Sequence, residues 1–242
     1  MRYYLHMELI FLDTETTGND VEKDRLCQVC YETAAGMKNA YFKPPLPISV
    51  KAMSITHVTN RMVADKEAFE GSETKRELDA LFAAGGVLVA HNVKFDAAML
   101  EAEGLKTPNR ICTLRVARFL DAGNVIPEYN LQYLRYYLDI DVEGHAHDAE
   151  GDVRVLHAVF DRLFSKMRKD AASDDEVIQK MIEISSKPSI YRQFDFGKHK
   201  GRKMEEVVKI DRGYLEWLLG QKLANEADDE DWIYTLRHYL DK

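Results

Sequence analysis

Cysteine is scarce in this sequence, and its scarcity argues against the structures that cysteine usually supports. The 242 residues contain only Cys27, Cys30 and Cys112, an odd number that gives no even disulfide framework. The Cys-x-x-Cys spacing of Cys27 and Cys30 lacks the second pair that a structural zinc site usually has. Metal binding or redox chemistry at these thiols is therefore the minor alternative.

Long apolar runs are also missing. No stretch approaches the ~20 residues that a helix needs to cross a bilayer, and the N-terminus MRYYLHMELIFLDTET has no signal-peptide cleavage region. With 45% hydrophobic and 31% charged residues, the composition is sufficient for a buried core. We expect a cytoplasmic protein that folds by itself and has no membrane partner.

An excess of positive charge is the third absence. The formal net charge is −8, whereas proteins that bind phosphate groups usually present a basic surface. The excess acid lies entirely in residues 1–186, because residues 187–242 hold 11 Lys and Arg against 11 Asp and Glu. An acidic site for divalent cations would contribute to this excess, although most surface carboxylates are simply solvated. A nucleic-acid partner therefore stays open.

Strand-like and helix-like patterns follow one another along most of the chain. Predicted strands cover 8–13, 27–35, 39–44, 87–90 and 110–113, and predicted helices cover 74–84, 94–103, 114–121, 131–138 and 148–167. An antiparallel opening followed by strand–helix alternation indicates an α/β protein with a mixed sheet and helices on both faces.

The domain organisation follows from length and one polar stretch. A chain of 242 residues suits one sizeable α/β domain with a small appendage. Residues 169–176 are polar and acidic, as in a linker, and a second compact pattern begins near Lys187. We therefore predict a domain over 1–168, a linker or helix over 169–186, and a C-terminal module over 187–242.

The first chemical motif is FLDTETTG, residues 11–18. Asp13 and Glu15 are two residues apart at the end of an apolar strand, so their side chains point to one face. Two carboxylates on one face repel each other unless a cation neutralises them, which indicates a site for a hard metal ion. The alternative is a solvated turn.

The second motif is VAHNVKFDAAM, residues 89–99. A buried strand leads into His91 and Asn92, and Asp96 follows in a predicted helix. The carboxyl ends of strands are where open α/β sheets collect their ligands, so Asp96 is a candidate third carboxylate for the same site. The alternative is that Asp96 only interacts with the helix dipole.

The third motif is GHAHDAEGDVRVLHAVF, residues 144–160. His147 precedes a predicted helix, and Asp152 lies about one turn inside it. A ligand has to be held rigidly, whereas a general base has to approach water and then release its proton, which a histidine titrating near neutral pH does well. The alternative is that Asp148 caps the helix and His147 is only exposed.

Taken together, FLDTETTG, HNVKFD and HDAEGD resemble the three motifs of the DEDDh group of DnaQ-like 3′ to 5′ exonucleases. All five signature positions are filled. The resemblance implies an RNase H-like fold with a mixed five-stranded sheet, and it implies His147 as the general base. It also implies that the metal ligands are Asp13, Glu15, Asp96 and Asp152.

The resemblance further implies the reaction and the residues around the substrate. Two Mg²⁺ or Mn²⁺ ions would lie across the scissile phosphate, nucleoside 5′-monophosphates would be released, and no organic cofactor would take part. Residues 47–66 look like the family's segment that helps to hold the terminal nucleotide. The residues implied to surround that nucleotide are Thr14, Thr16, Thr17, His57, His91, Asn92 and Phe95. For Phe95, core packing is an equal alternative.

The C-terminal segments FDFGKHKGRKMEEV, GYLEWLL and TLRHYL resemble the C-terminal module of the bacterial exonuclease X group. Its basic stretch interleaves glycine, aromatic and cationic residues, which suits contact with a phosphate backbone and stacked bases. The candidate contacts are Lys198, Lys200, Arg202 and Lys203. The alternative is a solvated turn on a small helical module.

Three functions remain open from the sequence. A DNA 3′ exonuclease acting on single strands or DNA 3′ ends in repair or mismatch processing is the leading one. A ribonuclease that trims RNA ends is second, because discrimination depends on contacts to the 2′-hydroxyl that the sequence does not expose. An inactive nucleic-acid-binding or scaffold protein is third, because such a protein would be expected to lose one of the five chemical groups.

Overall fold

The computed structural model describes residues 7–142, 149–224 and 229–241. The chain forms two compact units, each with its own hydrophobic core. The first unit contains Met1–Val116 and Glu128–Ser185, and the second contains Ala117–Pro127 and Ser186–Lys242. The candidate carboxylates all belong to the first unit.

The strands of the first unit are β1 (Leu9–Thr16), β2 (Leu26–Thr33), β3 (Gly36–Tyr41), β4 (Val87–Ala90) and β5 (Asn109–Cys112). Within the described residues they form one five-stranded sheet in the order β3-β2-β1-β4-β5. The pairs β1–β2 and β2–β3 are antiparallel, whereas β1–β4 and β4–β5 are parallel. The predicted mixed five-stranded sheet is confirmed.

The register of the central strands explains where the motifs meet. In the parallel pair β1–β4, Phe11 lies opposite Val89, so both strands run toward the same edge of the sheet. Asp13 and Glu15 follow Phe11 on β1, and His91 follows the end of β4. Asp13 lies opposite Cys30 on β2, and the register shifts between Glu15 and Thr16. A bulge of this kind re-aims the side chains beside it.

The helices before the second unit are α1 (Val50–Thr56), α2 (Glu73–Ala83), α3 (Val93–Ala102), α4 (Thr113–Leu120), α5 (Leu131–Tyr137), α6 (Ala149–Arg168) and α7 (Asp174–Ser185). Ser49, Ser72 and Asn130 cap α1, α2 and α5 by accepting a hydrogen bond from a backbone N–H. The α6 helix packs against β1 and β2 and buries Val155, Leu156, Val159 and Phe160.

Most of residues 169–186 form α7, which is the helix alternative of the predicted linker or helix. Val177, Ile178 and Met181 are buried on this helix, and Ser185 Oγ accepts a hydrogen bond of 2.7 Å from Cys112 N on β5. The acidic residues that suggested a linker lie in the first turn, where the helix dipole favours negative charge. The first unit therefore ends at Ser185 rather than at residue 168.

The second unit is helical. It contains α8 (Met204–Ile210), α9 (Arg212–Leu223) and α10 (Glu230–Leu240), around a core of Phe194, Met204, Val207, Leu215, Leu218, Trp232, Leu236 and Tyr239. Residues 117–127 belong to it through contacts such as Asn124 Nδ2 to Gln193 Oε1 at 2.9 Å. None of the described helices in either unit is long and apolar enough to span a membrane.

Candidate active site

The structure brings the two β1 carboxylates to the same part of the sheet. Glu15 is buried, whereas Asp13 keeps part of its surface exposed. Desolvation by the surrounding atoms, followed by the negative charges of Asp96, Glu15 and Asp152, raises the pKa of Asp13 well above its ordinary value. The electrostatic influence of all three neighbours shows that the four acids share one region.

The third carboxylate, Asp96, is held by the strand that carries the first two. Thr14 donates to Asp96 Oδ1 from its hydroxyl at 2.8 Å and from its backbone N–H at 3.2 Å. Burial raises the pKa of Asp96 to about 7, although the hydrogen bonds from Thr14 act in the opposite direction. Thr14, predicted to contact the substrate, therefore fixes a carboxylate in this structure.

The fourth carboxylate, Asp152, projects from the first turn of α6 and is buried. Gln132 Nε2 on α5 donates to Asp152 Oδ1 at 2.6 Å. Gln132 was missed by the sequence reasoning, because a glutamine in a predicted surface helix carries no signal of its partner. It orients Asp152 as an outer hydrogen-bond donor orients a metal ligand.

This set of donors fits a divalent cation that prefers oxygen. The raised pKa values of Asp13 and Asp96 indicate a crowded acidic cluster whose charge such an ion would neutralise. In the described ranges, however, no three His, Cys, Asp or Glu side chains converge as a ready metal cage. The two observations are compatible for a divalent cation that keeps part of its water shell and also binds substrate phosphates, rather than one held in an all-protein cage.

His147, the predicted general base, lies outside the described residues. Asp148, its predicted capping neighbour, does too. Asp152 is the described residue of the third motif that joins the acidic cluster. The role of His147 therefore stays a prediction.

Thr16 and Thr17 have backbone and side-chain partners close to β1. Thr17 Oγ1 donates to Asp24 Oδ1 at 2.7 Å and accepts from Arg25 N at 3.1 Å, while Thr16 Oγ1 donates to Gly18 O at 2.6 Å. A Cβ added at Gly18 would lie 2.4 Å from Asp24 Oδ2. These contacts shape the turn after β1, and the predicted contacts of both threonines with substrate are untested.

At the end of β4, His91 and Asn92 occupy different environments. His91 Nδ1 lies 2.9 Å from Thr113 Oγ1, and its Nε2 lies 2.7 Å from Tyr129 O. Asn92 has a left-handed backbone with φ of 66° and an exposed side chain that does not cap α3. The contacts of both residues with substrate stay predictions.

The two remaining substrate candidates lie on different elements. Phe95, on the first turn of α3, is partly buried and packs against the main core, which supports the core alternative. His57 is exposed and ends α1 in a left-handed conformation with φ of 59°. Their contacts with a nucleotide stay predictions.

The thiols are all buried. Burial, with a smaller contribution from the charge of Glu15, raises the pKa of Cys27 to about 12. A thiol of this pKa stays protonated at neutral pH, which disfavours metal or redox chemistry at this residue.

In the basic stretch of the second unit, Lys198 forms an ion pair with an acid of the same unit. Lys198 Nζ lies 2.6 Å from Asp211 Oδ2, and buried His199 shares the same oxygen at 2.8 Å. Lys200, Arg202 and Lys203 are exposed. The pairing gives Lys198 a structural role, in addition to its predicted contact with nucleic acid.

A family model described as "Exonuclease" matches residues 10–160, a span that contains all five predicted catalytic residues. The chain belongs to this exonuclease family. A second model, described as "Exodeoxyribonuclease X-like C-terminal", matches residues 194–222, which include the basic stretch. The predicted resemblance is confirmed in both parts, and the protein is an enzyme of a family that depends on divalent metal ions.

Individual relatives extend the match over nearly the whole chain. Exodeoxyribonuclease 10 of Escherichia coli (strain K12) is 29% identical over 238 residues, covering 96% of this chain and 99% of that protein. DNA polymerase III subunit epsilon of Treponema pallidum (strain Nichols) is 31% identical over 176 residues, covering 68% of this chain and 80% of that protein.

Solved structures confirm the RNase H-like fold. Exonuclease X in complex with 5′ overhanging duplex DNA has a TM-score of 0.56 and 23% identity, covering 74% of this chain and 99% of that one. E. coli Exonuclease I in complex with a dT13 oligonucleotide has a TM-score of 0.59 and 20% identity, covering 68% of this chain and 42% of that one.

Proposed function

We propose that this protein is a 3′ to 5′ exonuclease that removes nucleoside 5′-monophosphates from DNA ends with the help of two Mg²⁺ or Mn²⁺ ions. The observation that carries the proposal is the meeting of Asp13, Glu15, Asp96 and Asp152 from β1, α3 and α6. The exonuclease family match over residues 10–160 supports a role of this acidic cluster in the cleavage of nucleic acid.

The chain's own residues prepare the site for the ions. Asp13, Glu15, Asp96 and Asp152 would hold them, while Thr14 and Gln132 fix two of these carboxylates by hydrogen bonds. When bound, two such ions activate a water and stabilise the departing 3′ oxygen. Asn92 and His57 present exposed polar groups suited to holding the terminal nucleotide.

His147 would take the proton from the attacking water. Its position five residues before Asp152, ahead of α6, supports this role. We expect His147→Ala to lower the cleavage rate by ~10²- to 10⁴-fold, while His238→Ala in the second unit should have little effect. Rates measured with saturating metal and DNA test this role, and a His147→Ala rate near that of the wild type would contradict it.

The choice of DNA over RNA follows from the relatives. The E. coli protein named Exodeoxyribonuclease 10 aligns with 96% of this chain, and two of the similar structures hold DNA. A DNA strand, single or at a 3′ end, is therefore the proposed partner, and repair of such ends is the corresponding role.

The test is digestion of matched DNA and RNA oligonucleotides labelled at the 5′ end, with Mg²⁺, with Mn²⁺ and with chelator. The proposal predicts a metal-dependent ladder on DNA, and nucleoside 5′-monophosphates as products. A ladder on RNA alone would replace DNA by RNA as the substrate. The absence of cleavage on both polymers with every metal would contradict the enzymatic proposal.

A further inference from the structure

The α5 helix carries aromatic side chains that are largely exposed. Tyr136 is 75% exposed and Tyr137 is 44% exposed, whereas Leu134 supplies the buried contact of the helix. The rings of Tyr133 and Tyr137 are stacked, with centroids 6.1 Å apart and an angle of 22° between planes. Contiguous exposed aromatic surface of this kind commonly marks a binding site.

These tyrosines line an open cavity of about 570 Å³. Its walls are Asn130, Gln132, Tyr133, Tyr136 and Tyr137, a set of rings and amides without a carboxylate. Ligand sites generally have volumes of roughly 300–1,000 Å³, so the cavity has room for a planar base. The Arg135 guanidinium lies 5.5 Å from the centroid of the Tyr136 ring and adds positive charge to this helix.

One wall of the cavity is hydrogen-bonded to a carboxylate of the candidate active site. Gln132, one of its walls, donates to Asp152 Oδ1 at 2.6 Å. Just before α5, the carbonyl oxygen of Tyr129 lies 2.7 Å from His91 Nε2 at the end of β4. Asn130 Oδ1 accepts from Tyr133 N at 2.8 Å and fixes the start of the helix. The helix that carries the tyrosines is therefore linked by hydrogen bonds to the acidic cluster and, through Tyr129, to the end of β4.

We propose that this tyrosine-lined cavity binds a nucleobase of the substrate strand, upstream of the nucleotide that is removed. The inference rests on the proposed exonuclease function. Aromatic side chains bind single strands by stacking on bases, and they tolerate every base because each has a π-face. None of the five wall residues belongs to the set predicted to surround the terminal nucleotide, so the base in the cavity belongs to another nucleotide.

The test compares two double variants that differ in the rings alone. Tyr136→Leu with Tyr137→Leu keeps an apolar surface and removes the rings, whereas Tyr136→Phe with Tyr137→Phe keeps them. Tyr234→Leu, at an exposed tyrosine of the second unit, is the matched control. The substrates are a single-stranded DNA 10-mer and the p-nitrophenyl ester of thymidine 5′-monophosphate, which has one nucleotide and therefore no base upstream of the one that is removed.

For the leucine variant, we expect KM on the 10-mer to rise about tenfold, with kcat unchanged. Hydrolysis of the ester should be unaffected, and the phenylalanine variant should match the wild type on both substrates. Wild-type kinetics of the leucine variant on the 10-mer would overturn the proposal. An equal loss on the ester would also overturn it, because the tyrosines would then act on the catalytic site itself.

Binding of the 10-mer in chelator, followed by fluorescence anisotropy, separates this inference from the proposed function. If the wild type cuts nothing but binds the 10-mer, and the leucine variant binds about tenfold more weakly, the base site stands and the exonuclease proposal fails. If the two proteins bind the 10-mer equally, the base site is overturned whatever the cleavage results.

Discussion

In the first unit, four carboxylates meet in one acidic cluster, whereas in the second unit Asp211 and Asp229 are each paired with a lysine. Burial and like charge raise the pKa of Asp13. In the second unit, by contrast, Lys198 and His199 share Asp211, and Lys222 Nζ lies 2.7 Å from Asp229 Oδ1.

The comparison distinguishes charged groups whose pairing stabilises the fold from charged groups whose crowding favours the binding of a cation. A paired acid favours its ionised form and the folded state, whereas a crowded, desolvated acid destabilises the fold until a ligand neutralises it. Strongly raised pKa values are accordingly concentrated at functional sites. Asp13 and Asp211 should therefore respond in opposite directions when each is replaced by asparagine.

Asp13→Asn is expected to have the largest effect. Cleavage of labelled DNA should fall by on the order of 10⁴-fold, because a charge that would hold the ions is removed. In chelator, the variant should melt at a higher temperature than the wild type. The reason is that a raised pKa in the folded state makes ionised Asp13 unfavourable at neutral pH.

Asp65→Asn is the control for this substitution, since the Asp65 side chain is 81% exposed and should change neither rate nor melting temperature. Near wild-type cleavage by Asp13→Asn would remove Asp13 from the mechanism. An unchanged or lower melting temperature in chelator would show that the carboxylates of the first unit do not repel one another in the folded protein.

Gln132→Ala is expected to have an intermediate effect. Loss of the hydrogen bond to Asp152 should lower metal affinity or activity by about 10- to 100-fold, and part of the loss should be recovered at higher metal concentration. A metal titration of the cleavage rate measures this. Gln179→Ala, at an exposed position of α7, is the control, and equal metal dependence of both variants would contradict a positioning role for Gln132.

Local patterns predicted a mixed sheet and identified the acids as candidates, whereas their joint role as metal ligands was implied by the family resemblance. The two-residue spacing of Asp13 and Glu15 on an apolar strand, and the position of Asp96 after the buried run 87–90, follow from strand geometry alone. The parallel pairing of β1 and β4 brings Asp96 to the two acids of β1, and the packing of α6 against β1 brings Asp152 there.

Contacts between residues distant in sequence were not predictable in the same way. No local pattern pairs Gln132 with Asp152, or His91 with Thr113 and the Tyr129 carbonyl. The sequence left linker and helix open for the residues of α7, because its first turn is as acidic as a linker. Its apolar residues form a recognisable buried face only beside β5 and α6.

Alanine at Lys200, Arg202 and Lys203 is expected to weaken the binding of single-stranded DNA moderately. The slope of log affinity against log salt should decrease by about 0.7 for each phosphate that the variant no longer neutralises. Lys198→Ala should change the slope less, because Lys198 is paired with Asp211. Affinity measured by anisotropy over a salt series tests this, and an unchanged slope for the triple variant would mean that the basic stretch does not contact the strand.

Asp211→Asn is expected to have the smallest effect, with a direction opposite to that of Asp13→Asn. Lys198 and then His199 lower the pKa of Asp211 from 3.8 to about 2. An acid whose pKa is lowered in the folded state stabilises the protein above its ordinary pKa, and loses that contribution as the pH falls through its folded value. At pH 7, the variant should therefore melt roughly 1–2 °C below the wild type.

Melting both proteins at a series of acid pH values sharpens this prediction. The difference between them should shrink as the pH falls from 3.8 to about 2, because protonated aspartate, like asparagine, carries no charge. Added salt at pH 7 should shrink it too, since the ion pair is partly exposed and is screened. A difference that persists at low pH would show that asparagine disturbs the packing around buried His199, rather than the charge balance that distinguishes the second unit from the first.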